Sequence, residues 1–441
     1  VQESFMAAPF HMAWFLQGSS AQAWGEPWTG NIGTEWMSAD LFVDLARSIE
    51  RACFDYLLIE DSIFIGENWQ NSRDIFLKNG ICVPRQEPSV VATLLAAATK
   101  RLGIVPTLST FAYHPYLTAR IIGSLDQISG GRAGWNLVTG FNDLAAQNFG
   151  LEGMADHDER YVMAEEYATI VKQLWDSWEP GSILDDRENG MLVDPAKVHT
   201  IDYAGKYYTS RGPLNSGPCP QGRPVIAQAG GSVTGRAFAA AHADTIVAAP
   251  TGIEAMKRYR EEVRAQMAGM GRDPDACKLL FLLSPIVAET EEQARWFADQ
   301  RKVQTAENIP ARLARLGWAT NIDFSQFDLD TPVGELTTNG TQSTLQAFLV
   351  RAGKRTLREA IVAHYSSGYC VDVIGTPESA AAQMGGIMEE VGGDGFLIVL
   401  PDVSRRSIAT ITDGLAPALQ RRGLMRRALE HPHLRDNLLA F

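Results

Sequence analysis

The chain has 441 residues, 45% of them hydrophobic and 21% charged, enough for two average domains or one enlarged α/β barrel without help from disulfides or metals. Its 39 basic and 52 acidic residues leave a formal charge of −13, which argues against a protein that tracks nucleic-acid phosphates. No run of about 18 apolar residues offers a membrane span.

In chain order, short apolar runs rich in β-branched residues alternate with segments of helical spacing. The first strand is predicted at 11–16, followed by a helix with Ser38 as N-cap and Leu41, Phe42, Leu45 and Ile49 on one face. Further strand–helix pairs are predicted at 56–60 and 88–99, at 104–108 and 115–128, and at 133–138 and 158–175. After these come 224–228 with 232–242, 245–248 with 253–267, and a strand within 278–287 with a helix starting near Glu291. The eighth strand is predicted at 395–400, and a last helix at 408–421 is expected to be interrupted at Pro417, whose ring blocks helical hydrogen bonding. Eight such units predict a TIM (β/α)8 barrel with insertions after strands 2, 4 and 7, against the competing doubly wound open sheet. The whole chain, 1–441, reads as one barrel domain with insertion segments 61–87, 179–223 and 304–377. The first and third of these leave strand C-termini and are candidate walls or lids over the mouth.

Five cysteines, at 53, 82, 219, 277 and 370, form no CxxC pair, which fits reduced thiols in a cytoplasmic protein. No basic stretch followed by an apolar one opens the sequence, so no secretory leader is expected. The eight histidines form no HExxH, and no metal site is expected; the one close pair, His431 and His433, lies in a C-terminal tail with no apparent partners.

The most specific signal is a set of ordered motifs. Gly130-Gly131-Arg132-Ala133-Gly134-Trp135-Asn136-Leu137-Val138-Thr139 precedes Gln147-Asn148-Phe149-Gly150 and His157-Asp158-Glu159-Arg160-Tyr161. Pro224-Val225-Ile226-Ala227-Gln228-Ala229-Gly230, Gly235-Arg236, Gly375-Thr376-Pro377 and Asp394-Gly395-Phe396 follow. Together these resemble the luciferase-like flavin monooxygenases, in the branch that includes nitrilotriacetate and dibenzothiophene-sulfone monooxygenases. The resemblance runs over residues 10–425.

The local chemistry points to the same cofactor. Gln228-Ala229-Gly230-Gly231-Ser232 ends a strand and opens a helix, where two glycines admit a ligand close to the backbone and the helix start offers N–H donors to an anion. A plain Gly-Ser cap is the structural alternative. The resemblance assigns FMN phosphate to Gly230, Gly231 and Ser232, and makes Asp61, Thr107, Asn136, His157 and Tyr161 further flavin contacts. His157 and Tyr161 are four apart and share a helix face; an amide such as Asn136 within a strand is uncommon unless it faces a site.

The resemblance implies FMN, used as FMNH2 with O2, and a separate NAD(P)H:flavin reductase to supply it, since no GxGxxG opens a βαβ unit here. It also implies a homodimer or homotetramer. The expected reaction oxidises a small organic substrate or cleaves a C–N or C–S bond. His11 and His114 are candidate acid–base groups, with structural histidines as the alternative. Trp14, Phe15, Gln17, Tyr113 and Phe141 are candidate substrate contacts, alongside Trp24, Trp28, Phe64, Trp69 and Phe111. This aromatic load and an expected scarcity of basic residues in the pocket favour an aromatic or heterocyclic substrate, flavin-type rings included, over a polycarboxylate. The sequence departs from the family pattern at Ala23-Trp24-Gly25-Glu26-Pro27-Trp28 and at Gly140, both on the expected substrate side. Two other readings stay open: a deazaflavin-dependent oxidoreductase on the same barrel, and a non-catalytic flavin-binding protein.

Overall fold

Alternation along eight parallel strands builds the centre of the protein. The computed structural model describes residues 8–17, 38–401 and 403–441. The strands are β1 (His11–Leu16), β2 (Tyr56–Ile59), β3 (Gly103–Ser109), β4 (Gly134–Val138), β5 (Val225–Gln228), β6 (Thr245–Ala248), β7 (Lys278–Leu283) and β8 (Gly395–Ile398). They close into a barrel in sequence order, with β8 pairing back onto β1 at His11 and Gly395. Successive side chains point to opposite faces of a strand. Ala13, Tyr56, Leu58, Val105, Val225 and Leu397 therefore fill the barrel, while Met12, Trp14, Leu57, Ile104 and Phe396 join the layer beneath the helices.

The ring begins with α1 (Asp40–Arg51), α2 (Pro88–Ala98), α3 (Pro115–Ser129), α4 (His157–Asp176), α5 (Val233–His242) and α6 (Ile253–Gly269). Ala39, with no side-chain cap bond, occupies the N-cap of α1, so the expected Ser38 cap lies one residue early. Four helices follow β7: α7 (Glu291–Glu307), α8 (Ile309–Thr320), α9 (Gln342–Ala352) and α10 (Leu357–Ser366). The predicted helix near Glu291 is present, but it packs against α10; the seventh ring helix is α11 (Pro377–Val391), which lies against α6. The last helix runs as α-helix over Arg405–Ala409 and Ala416–Arg421 with a π turn, Thr410–Leu415, between them. That turn sits just ahead of Pro417, which lacks the N–H a regular ladder needs.

The segment between α4 and β5 carries two short hairpins, Ile183–Asp186 with Met191–Val193 and Tyr203–Ala204 with Thr209–Ser210. It is tied to the outside of the ring at α4: Glu166 accepts from Lys206 N at 3.1 Å and Tyr208 N at 2.7 Å, and the Tyr207 hydroxyl donates to Glu159. The segment after β2 meets α8 over the barrel mouth, where Phe64 stacks on Trp318 with centroids 5.3 Å apart. All five cysteines are buried and unbridged. No helix among the described residues is long and apolar enough to cross a membrane.

Candidate active site

In a (β/α)8 barrel, the residues that leave strand C-termini face the mouth. On the inward face there, Thr107 Oγ1 donates to the Ile59 carbonyl at 2.6 Å and accepts from Asn136 Nδ2 at 2.8 Å. Asn136 Oδ1 and Ser109 Oγ are buried without a hydrogen-bond partner. A buried polar atom left unpaired costs about 1–3 kcal/mol, so two of them on one side of the mouth suit a polar ligand. Gln17, just past β1, and Glu60, just past β2, stand at the same level. Glu60 Oε2 holds Arg85 Nη1 at 3.0 Å, and the Arg85 guanidinium lies over Trp318. Burial pushes the neighbouring Asp61 carboxyl up to about 7; Arg85 opposes the shift and Glu60 adds to it.

The turn between β5 and α5 forms the second part. Ser232 is the N-cap of α5, and its Oγ accepts from Gly235 N at 3.0 Å. The Tyr161 hydroxyl faces Gln228 and Ser232. A Cβ on Gly230 would collide with the Gly235 carbonyl, and one on Gly231 with Ser343 of α9, so both positions require glycine. The carbonyls of this turn are pinned from outside: Tyr259 hydroxyl donates to Gly230 O at 2.6 Å and Arg236 Nη1 to Gly231 O at 2.7 Å. His157, at the start of α4, packs beside Tyr161, and its Nδ1 lies 2.8 Å from Asp158, which in turn accepts from Thr234 of α5. A glycine turn, a capped helix start and a tyrosine hydroxyl come together here, a combination able to receive an anion. Arg236 and Tyr259 were absent from the sequence-based candidates, although Gly235-Arg236 stood among the motifs.

Other candidates fall elsewhere. His11 opens β1 and is therefore at the barrel floor, where Nδ1 lies 3.2 Å from Asp55 and the ring stacks on Phe441; it does not reach the mouth. Trp14 is fully buried on the outward face of β1 against Phe54 and makes no approach to a ligand. Exposed His114 caps α3, its Nδ1 accepting from Tyr116 N at 3.2 Å. Tyr113 stands at the rim with its hydroxyl on Glu87, 3.0 Å away. Phe141 packs edge-on against Phe64 and Trp318, so these rings anchor the insertion. Phe15 and Gln17 do line a large cavity, of about 1910 Å³, between the barrel mouth and the insertion helices. Trp24, Trp28 and the rest of 23–28 lie outside the described residues.

The expectation of few basic residues fails. The cavity wall includes Arg85, Arg236, Arg258, Arg301, Arg315 and Arg351. Sequence reading missed them because they come from different helices and loops that only the fold brings together.

The family model described as "Luciferase-like monooxygenase" matches residues 12–395. The chain belongs to that family. It is a flavin-dependent monooxygenase. Among its relatives is a dibenzothiophene-sulfone monooxygenase of Rhodococcus erythropolis (strain XP), 32% identical over 97% of this chain and 96% of the relative. Another is nitrilotriacetate monooxygenase component A of Aminobacter aminovorans, 34% identical over 90% of this chain and 89% of the relative. Among solved structures, a riboflavin lyase with modified FMN and substrate riboflavin superposes with a TM-score of 0.88 at 32% identity, covering 98% of this chain and 96% of that one.

Proposed function

We propose that this monooxygenase is the oxygenase half of a two-component system that takes reduced FMN from a separate flavin reductase. With O2 it would oxidise a small organic substrate or cleave its C–N or C–S bond. The observation that carries this reading is the cradle of Gly230, Gly231, Ser232 and Tyr161 beside the unpartnered polar atoms of Asn136 and Ser109. In this reading the cradle takes the FMN phosphate, with His157 behind it, and Asp61, Thr107 and Asn136 meet the ring system. When bound, reduced FMN supplies the electrons that activate O2. The chain's own task is to bind, orient and exclude water, for which the insertion helices form a roof: Ser343 closes over Gly231, and Asn339 accepts from Arg160 Nη1 at 3.2 Å. Support for FMN comes from the riboflavin lyase solved with a modified FMN. The relative named as a component A supports a separate reductase.

The test is anaerobic titration with FMNH2, then exposure to air. Tighter binding of FMNH2 than of oxidised FMN, with reoxidation slower than that of free FMNH2, is the expected result. Equal affinity for both forms and reoxidation at the free-flavin rate would refute the proposal.

A further inference from the structure

Three arginines of the insertion converge on one tyrosine at the edge of the cavity. Arg351 of α9 donates to the Tyr369 carbonyl. Arg315 of α8 donates from Nη2 to Gln17 Oε1 at 2.8 Å, and Gln17 Nε2 donates to the Tyr369 hydroxyl at 3.3 Å. Arg301 of α7 lies in the field of Tyr369 and Asp372. Tyr369 pairs with Leu283 at the end of β7 and has a φ of 72°, a left-handed conformation that a non-glycine residue adopts only when its surroundings enforce it. The arginines therefore sit at the barrel mouth, next to the ends of β1 and β7.

Among the described residues, no carboxylate lies within ion-pair distance of Arg301, Arg315 or Arg351. Two acids lie nearby and both are engaged elsewhere: Glu60, whose field reaches Arg315, is paired with Arg85 at 3.0 Å, and Asp372, whose field reaches Arg301 and Arg351, accepts from Gly368 N at 2.7 Å. Beside them, burial and the fields of Arg351 and Arg315 hold His364 neutral, down to about 3, and its buried Nδ1 has no partner. Half-buried guanidinium groups without counter-ions are costly, and their planar forks match an oxyanion in bidentate geometry. Such a concentration of positive charge in a chain of net charge −13 focuses the field into the cavity.

We propose that Arg301, Arg315 and Arg351 form a substrate subsite for an oxyanion, so that the molecule oxidised carries a carboxylate, sulfonate or phosphate group. This rests on the monooxygenase reading above and names the class of its substrate. The anion docks between the three arginines and Tyr369 at the edge of the mouth, and the remainder of the substrate extends past Phe15 and Gln17 into the rest of the cavity.

The test uses FMN-saturated protein and calorimetric titration with succinate, ethane-1,2-disulfonate, inorganic phosphate and, as a neutral comparison, succinamide. At least one anion should bind with a dissociation constant of about 1 mM or better, and succinamide should not. The tightest anion identifies the group. Arg315→Met should weaken that anion by about tenfold or more; Arg301→Gln, on a different helix, should also weaken it and guards against loss of folding in the first variant. FMN affinity, measured in the same samples, should stay unchanged. Absence of binding by all three anions, or wild-type anion affinity in both variants, would overturn the subsite. Failure of FMN to bind would count instead against the flavin reading, and the succinate titrations of wild type and variants would still decide the subsite.

Discussion

At Ser232 a single oxygen both caps α5 and faces the place proposed for a phosphate. Aspartate also caps helices well, so Ser232→Asp should leave the fold intact while setting a carboxylate against an anion. FMN affinity is expected to fall by about a hundredfold, roughly 3 kcal/mol, in a fluorescence titration; an unchanged affinity would remove the phosphate from this turn. Asp61 poses a different residue-scale question. Its carboxyl is raised from 3.8 to about 7, chiefly by burial, so the native state holds the proton more tightly than the unfolded chain. The associated stability is fully present below about 4 and is lost as pH rises through about 7. Asp61→Asn cannot titrate, so relative to wild type it should gain about 3 kcal/mol between pH 5 and pH 8, as measured by urea unfolding. The same difference at both pH values would show that the carboxyl titrates normally.

At the scale of the element, the sequence located strands and helices well because their signals are local. Proline at the start of α2 and α3, glycine after α3, and the Ser232 cap all lie within a few residues of the boundaries they set. Orientation was harder. The strands of a parallel barrel are apolar on both faces, so nothing local tells which parity of β1 faces inward, and Trp14 was read onto the wrong face. His11 was misread for a more avoidable reason: a residue that opens a barrel strand points away from the mouth. The arginine cluster had no local signature, since positions 301, 315 and 351 meet only through the packing of three helices. The motif around Arg132 proved to be structural. Its five N–H donors reach the carbonyls of Ser129, Leu102, Ala96 and Thr99 and the Thr99 hydroxyl, which joins α2 and α3 to the start of β3 and β4. Arg132→Met strands those acceptors and should cost about 3 kcal/mol or more in urea unfolding, with little rescue by lysine, which has only three donors. A loss below about 1 kcal/mol would mean that water replaces the guanidinium.

For the whole molecule, the two ends of the barrel are built differently, and the C-terminal tail closes the end opposite the proposed flavin site. Leu434 and Leu438 enter the barrel's inner core from below. His433, which looked unpartnered in sequence, lies against Gly131 and 3.2 Å from Asp436. Arg426 reaches Asp55 at 2.9 Å on the floor, beside His11, where both side chains are buried. Removing one partner of such a pair leaves an uncompensated buried charge at a cost of about 3–5 kcal/mol. The tail therefore secures the floor while the insertion roofs the mouth, and the two should separate experimentally. Leu434→Ala should lower unfolding stability by about 2–5 kcal/mol through lost burial and the cavity left behind. Its FMN affinity, read under conditions where the variant is folded, should match the wild type, because the strand ends that face the mouth lie at the far end of the barrel. A variant that keeps its stability would show that the tail merely rests on the floor, and one that stays folded but loses FMN would show that floor and mouth are mechanically coupled through the strands.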